Sequence, residues 1–140
     1  RVFDEDLIDV SRSIHVGIRG TINSRDDIEN DKKIGFETIF CHETRELGLD
    51  GIAKKIIERV GDNKVYLSLD VDVVDPAFAP GTGTPECGGY TSGEILTIIR
   101  KLKKLNVVGG DVVEVTPPYD NSNITAQLAA TICYEFMCLI

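Results

Sequence analysis

Short β-branched runs alternate along this chain with amphipathic stretches of helical spacing. That alternation points to a parallel sheet whose strands are joined by crossover helices. Ile14 to Ile18 reads as a strand ending at an Arg19-Gly20 turn, Asn23 to Lys33 as a surface helix starting near Ser24, and Glu37 to Cys41 as the next strand. Asp50 is placed to cap a helix carrying Ile52, Ile56 and Val60 on one face, and Gly61-Asp62-Asn63 breaks it. In Val65 to Val73 the residues Tyr66, Ser68, Asp70 and Asp72 hold alternate positions, so a continuous strand turns both aspartates to the same side. Thr91 and Glu94 form a capping-box pair ahead of Ile95, Ile98, Ile99 and Leu102, and Lys101, Lys103 and Lys104 suit the C-terminal end of that helix. Val107 to Val115 reads as a buried strand stopped by Pro117-Pro118, and Ile124 to Leu139 as a final helix.

The 140 residues, 42% hydrophobic and 27% charged, are enough for one domain with a core and argue against disorder. No apolar run is long enough to cross a bilayer, and Arg1 to Asp6 has neither an initiator Met nor the layout of a secretory signal. We therefore expect a fragment with no membrane partner. A formal charge of −8 disfavours nucleic acid and mildly favours a cationic ligand. Cys41, Cys87, Cys133 and Cys138 contain no C-x-x-C pair and read as reduced thiols.

Asp70 and Asp72 are the least ordinary feature, because ionised carboxylates rarely sit in a β-branched run without compensation. A metal would compensate them. Side chains two apart on a strand start roughly 6.6 Å from each other, which suits flanking two divalent ions about 3.5–4 Å apart. A lone D-x-D has a plainer explanation, in which one aspartate caps a turn and the other meets an arginine. A dehalogenase-type phosphatase would use Asp70 as nucleophile and Asp72 as acid, but it needs that motif on its first strand with a later Lys and acidic pair. The segment that follows, Asp75 to Gly89, has no periodicity and is rich in Gly and Pro, the mark of a functional loop.

The whole run, SLDVDVVDPAFAPGTGTPECGG, resembles the ureohydrolase family of arginase, agmatinase and related amidinohydrolases, matching S-x-D-x-D-x-x-x-P-x-x-x-P-G at every fixed position. IHVGIRG before it and GGDVVEVTPPYD after it resemble agmatinase-type segments in the same order, so the resemblance covers essentially the whole chain. The complete APGTGTPE-x-GG loop favours the agmatinase branch over arginase, with guanidinobutyrase and guanidinopropionase as close competitors. The resemblance implies a three-layer α/β/α fold with a mainly parallel sheet, of which residues 1–140 form the C-terminal part. It makes Asp70 and Asp72 manganese ligands, Glu114 the acceptor of the substrate guanidinium, and Thr84 a residue lining that pocket.

Glu114 also fits on physical grounds, since an acid ending a buried strand beside a Pro-Pro turn would be costly without a cation. Its plainer alternative is a structural pair with an arginine, and for Thr84 a loop hydrogen bond. Asp75, Asp111 and Asp120 are assigned to loop and strand support. His15 and His42 are read as satisfied core or surface histidines, and Asn123-Ile124-Thr125 as a helix start rather than a glycosylation site.

The resemblance further implies ligands from Asp-x-His-x-Asp and Gly-Gly-Asp-His segments and a preceding His, none of which occurs in this sequence. Two carboxylates alone do not complete an octahedral manganese site, so the isolated polypeptide is expected to be inactive, or to be a non-catalytic fragment. The expected reaction of the complete enzyme is hydrolysis of agmatine to putrescine and urea by a hydroxide bridging two manganese ions. Its expected partners are a cationic guanidino substrate and further copies of itself, as a trimer or hexamer. Its expected location is the cytoplasm, with mitochondrial or secreted forms open.

Overall fold

The computed structural model describes residues 2–21, 24 and 26–140. Its elements run β1 (Ile14–Ile18), α1 (Asp26–Ile34), β2 (Glu37–Phe40), α2 (Thr44–Val60), β3 (Lys64–Asp70), α3 (Ser92–Lys101), β4 (Asn106–Val113) and α4 (Ile124–Met137). The architecture is α/β, and the strands pair in parallel as expected: β1 with β2 and β3 with β4, in two sheets of two strands. A parallel bridge from Val74 to Tyr90 ties the loop after β3 to the segment before α3. Gly17, at φ +89, lets β1 lie against Val73 and Tyr90, where a Cβ would come within 2.4 Å of Val73 and 2.8 Å of Tyr90.

Most elements form where local chemistry asks for them. Thr91 accepts from the Glu94 N–H at 3.2 Å while the Glu94 carboxylate accepts from the Thr91 N–H at 2.7 Å, so the start of α3 has its donors satisfied reciprocally. Its apolar face then buries Ile95, Ile98 and Ile99, with Leu102 at the C-cap. Each such side chain contributes roughly 1.5–3 kcal/mol of burial. Before α1, the Ser24 hydroxyl accepts from the Asp26 N–H and the Asp27 carboxylate accepts from the Ser24 N–H, while the Asn23 end of the expected helix lies outside the described residues. Asn63 closes α2 by donating to the Val60 carbonyl at 2.7 Å.

Three expectations are corrected. The helix expected from Asp50 begins at Thr44 and is interrupted at Gly48, where φ 64 and ψ 169 are not helical. Asp50 is not its cap; instead it pairs with Lys101 at 2.5 Å. The strand expected to run from Val65 to Val73 stops at Asp70, where a 3-10 turn over Val71–Val73 begins; the turn allows Val71 and Val74, three residues apart, both to be buried, at 0% and 1% exposure. The strand expected over Val107 to Val115 ends at Val113 and is buried on one side only. Helices α2, α3 and α4 pack in succession, α4 packs on β4, and the opposite face leaves Tyr66 62% and Val108 52% exposed.

Candidate metal centre and guanidinium site

Parallel pairing brings the site's parts to one rim. Asp70 is the last residue of β3 and pairs in register with Val113, the last residue of β4, so Glu114 leaves its strand directly beside Asp70. This is the C-terminal edge of the strands, where open α/β sheets take their ligands.

The two aspartates do not sit on one continuous strand. Asp70 Oδ1 accepts from the Asp72 N–H at 2.8 Å and caps the 3-10 turn, so Asp72 projects from the turn. The turn-capping half of the plainer D-x-D explanation therefore holds for Asp70. The arginine half does not, since among the described residues neither aspartate forms an ion pair with a basic side chain. Instead, the carboxylate of Asp72 accepts from two hydroxyls, Thr82 on Oδ1 and Thr84 on Oδ2, both in short contacts.

Crowding of protein around its carboxylate pushes the Asp70 pKa above the ordinary value. The nearby charges of Asp72 and Glu114 push the same way, against the Asp72 N–H and the Arg19 guanidinium. Asp70 is thus a partly desolvated carboxylate among like charges, a setting that a cation would relieve.

Glu114 has a left-handed backbone, φ 65, unusual for a residue with a side chain. Its carbonyl accepts from the Thr82 hydroxyl at 3.0 Å and the Thr116 hydroxyl at 3.4 Å. The residue is exposed, so the expectation that its charge is buried is corrected: β4 lacks a cover on that side. No described basic residue pairs with it, which leaves its carboxylate available to an external cation.

The loop that carries Thr82 and Thr84 is held from several sides. Asp75 accepts from the N–H groups of Ala77 and Gly88, at 3.0 and 2.8 Å, which closes the loop on itself and lowers the Asp75 pKa. Gly81 donates to the Thr125 hydroxyl at 2.8 Å and accepts from the Thr116 N–H at 2.8 Å. A Cβ at Gly81 would come within 2.5 Å of Asp120, which explains glycine there. Asp120 accepts from the N–H groups of Thr125 and Ala126 at the start of α4, at 3.0 and 2.9 Å. Asp111 accepts from the Tyr66 hydroxyl at 3.0 Å across the exposed sheet face.

Two residues that sequence reasoning missed take part. Thr82, 2% exposed, touches both Asp72 and Glu114. Arg19, which the sequence offers only as part of the turn after β1, donates to the carbonyls of Asp72 at 2.5 Å and Glu86 at 2.6 Å, clamping both ends of the loop. An arginine at the end of a strand facing a Gly-rich loop was the available signal. His15 stacks on Phe36 with ring centroids 4.5 Å apart, and His42 on Phe40 at 5.7 Å, which gives both histidines packing roles. All four cysteines are free thiols.

In donor chemistry the two aspartates fit a hard divalent cation, since both offer carboxylate oxygens and Asp70 is crowded by negative charge. In donor number they do not complete a site, for the described residues contain no cluster of three or more His, Cys, Asp or Glu able to hold a metal ion.

The Arginase family profile matches residues 1–139. The chain is 48% identical to putative agmatinase 3 of Schizosaccharomyces pombe over 136 residues, 97% of this chain and 33% of that protein. It is 44% identical to guanidinopropionase of Pseudomonas aeruginosa over all 140 residues, covering 44% of that protein. Among solved structures, proclavaminate amidino hydrolase of Streptomyces clavuligerus superposes with a TM-score of 0.93 at 44% identity, over 99% of this chain and 46% of that one. A carboxylate rim on a parallel α/β sheet with these relatives defines the class: the chain belongs to the arginase family and has the arginase fold. Within it the chain is most like the agmatinases, and it spans less than half the length of these relatives.

Proposed function

We propose that this chain is the C-terminal part of a ureohydrolase domain, and that the complete protein hydrolyses the guanidinium group of agmatine to putrescine and urea. The observation that carries this reading is the convergence of Asp70, Asp72 and Glu114 on one rim without a basic partner among the described residues. Such a rim has a use for two kinds of cation, a metal ion and a guanidinium. Asp70 and Asp72 would hold manganese, with the remaining ligands supplied from the N-terminal half of the domain. Manganese, when bound, supplies an acidified water and a Lewis acid at neutral pH. Glu114 would accept the guanidinium fork, which holds the cation in one orientation and so positions its carbon for attack. Thr84, tied to Asp72, lines the same pocket and limits how the guanidinium can turn.

Substrate choice within the class rests on residues that meet the far end of the molecule. Similarity to guanidinopropionase and guanidinobutyrase, at 44% and 40% identity, keeps guanidino acids as the second reading. Urea release from agmatine, guanidinobutyrate, guanidinopropionate and arginine by the full-length protein with manganese tests both. We expect the highest kcat/KM on agmatine. A preference for a guanidino acid selects the second reading, and turnover of none rejects both. The 140-residue chain by itself, lacking the other ligands, is expected to release no urea. In the complete protein we expect a homo-oligomer, a trimer or hexamer. Among the described residues no helix is long and apolar enough to cross a membrane.

A further inference from the structure

We propose that Thr82 is a positioning residue whose single hydroxyl sets the carboxylate of Asp72 and the backbone of Glu114 together, coupling capture of the metal ion to capture of the guanidinium. The inference rests on the roles proposed above for those two acids. Thr82 Oγ1 contacts Asp72 Oδ1 and lies 3.0 Å from the Glu114 carbonyl oxygen. Both partners are acceptors, and a hydroxyl has one proton to donate. The carboxylate holds the stronger claim on that proton, because hydrogen bonds to charged groups are shorter and stronger. The proton therefore goes to Asp72 and fixes the orientation of that carboxylate, while the same anchored hydroxyl lies against the Glu114 carbonyl.

The surroundings make this a fixed device. Thr82 and Thr125 are the buried polar residues among those described, and the two are linked through Gly81, whose N–H donates to Thr125 Oγ1 at 2.8 Å. The Gly81 carbonyl accepts from Thr116 N–H, so the peptide before Thr82 is pinned by the start of α4 and by the segment after β4. Glu114 keeps its left-handed φ of 65 only while its neighbours hold it there, and the hydroxyls of Thr82 and Thr116 are what its carbonyl meets. Thr84 differs: it is exposed, and its hydroxyl reaches Asp72 without, among the described residues, a hydrogen bond to Glu114.

Thr82→Val keeps the shape and removes the hydroxyl, whereas Thr82→Ser keeps the hydroxyl. In the full-length protein, manganese binding is read from the loss of the free Mn(II) EPR signal, with kcat and KM from urea release and thermal melting as the control for folding. Thr82→Val is expected to weaken manganese binding by about 10–100-fold, the usual loss when an outer partner of a metal ligand is removed. It should also raise KM for the guanidino substrate, and Thr82→Ser should restore both. If Thr82→Val does not fold, Thr82→Ala carries the same expectation. Wild-type manganese affinity and KM in the Val or Ala variant would overturn the coupling and leave the ligand assignment standing. Failure of a folded Ser variant to restore them would also overturn it, since packing of the methyl would then be the cause. A wild-type protein that binds no manganese would remove the role of Asp72 and the coupling with it.

Discussion

Helix α3 and the loop from Asp70 to Thr84 follow each other in the chain and handle polar groups in opposite ways. In α3 the polar groups satisfy one another: Thr91 and Glu94 cap each other's N–H groups, and the apolar face beneath them is buried. In the loop and its surroundings three carboxylates, Asp70, Asp72 and Glu114, share a rim with hydroxyl and amide donors but no basic partner among the described residues. The first arrangement is complete as it stands. The second carries excess negative charge, which costs stability unless something outside the chain relieves it. The difference separates residues whose polar groups are satisfied within the chain from residues that carry surplus negative charge.

Substitutions should therefore divide activity from stability along the same line. The largest effect is expected from Asp72→Asn in the full-length protein, with urea release falling further than the roughly 10–100-fold that loss of an outer partner costs. The metal-free protein should melt no lower than the wild type, because the change removes a like charge; a clear drop in melting temperature with activity retained would reverse the assignment. Ile98→Ala tests the other side. Ile98 is 4% exposed, so truncation should destabilise by about 2–5 kcal/mol in denaturant unfolding, with manganese affinity of the folded protein unchanged. Thr91→Ala should cost about 1 kcal/mol through loss of the cap, and a negligible change would mean the box is not what starts α3.

The smallest effect concerns pH. Burial raises the Asp120 pKa, but the donors from Thr125 and Ala126 outweigh it, and the carboxylate ends below its ordinary 3.8. A depressed folded value means that the unfolded chain binds the proton more readily, so Asp120 stabilises the anchor of the loop above 3.8 and the benefit is lost as pH falls through the folded value. The stability difference between wild type and Asp120→Asn should be flat above about pH 5 and shrink below 3.8. A difference that grows on acidification would contradict the sign.

The same contrast explains what could be read in advance. Helix α3 was legible because its determinants lie within a dozen residues and obey one period. Asp70, Asp72 and Glu114 were legible as unusual acids in β-branched surroundings, and the motif around them pointed to the family. The end of β3 was not, because it goes with burial of both Val71 and Val74, three residues apart, a tertiary requirement that alternation does not encode. The apolar neighbours of Glu114 predict a buried acid, yet which sheet face receives helices depends on how α2, α3 and α4 pack. Thr82 escaped notice because it lies in a segment without periodicity, and its partners are 10 and 32 residues away. Arg19 reaches 53 residues along the chain to the Asp72 carbonyl.

Anomalous diffraction at the manganese edge, from crystals of the full-length protein grown with Mn(II), would locate the cation directly. We predict density within bonding distance of the carboxylates of Asp70 and Asp72, beside Glu114. Manganese bound at other residues, with those two carboxylates paired to basic side chains, would contradict the account.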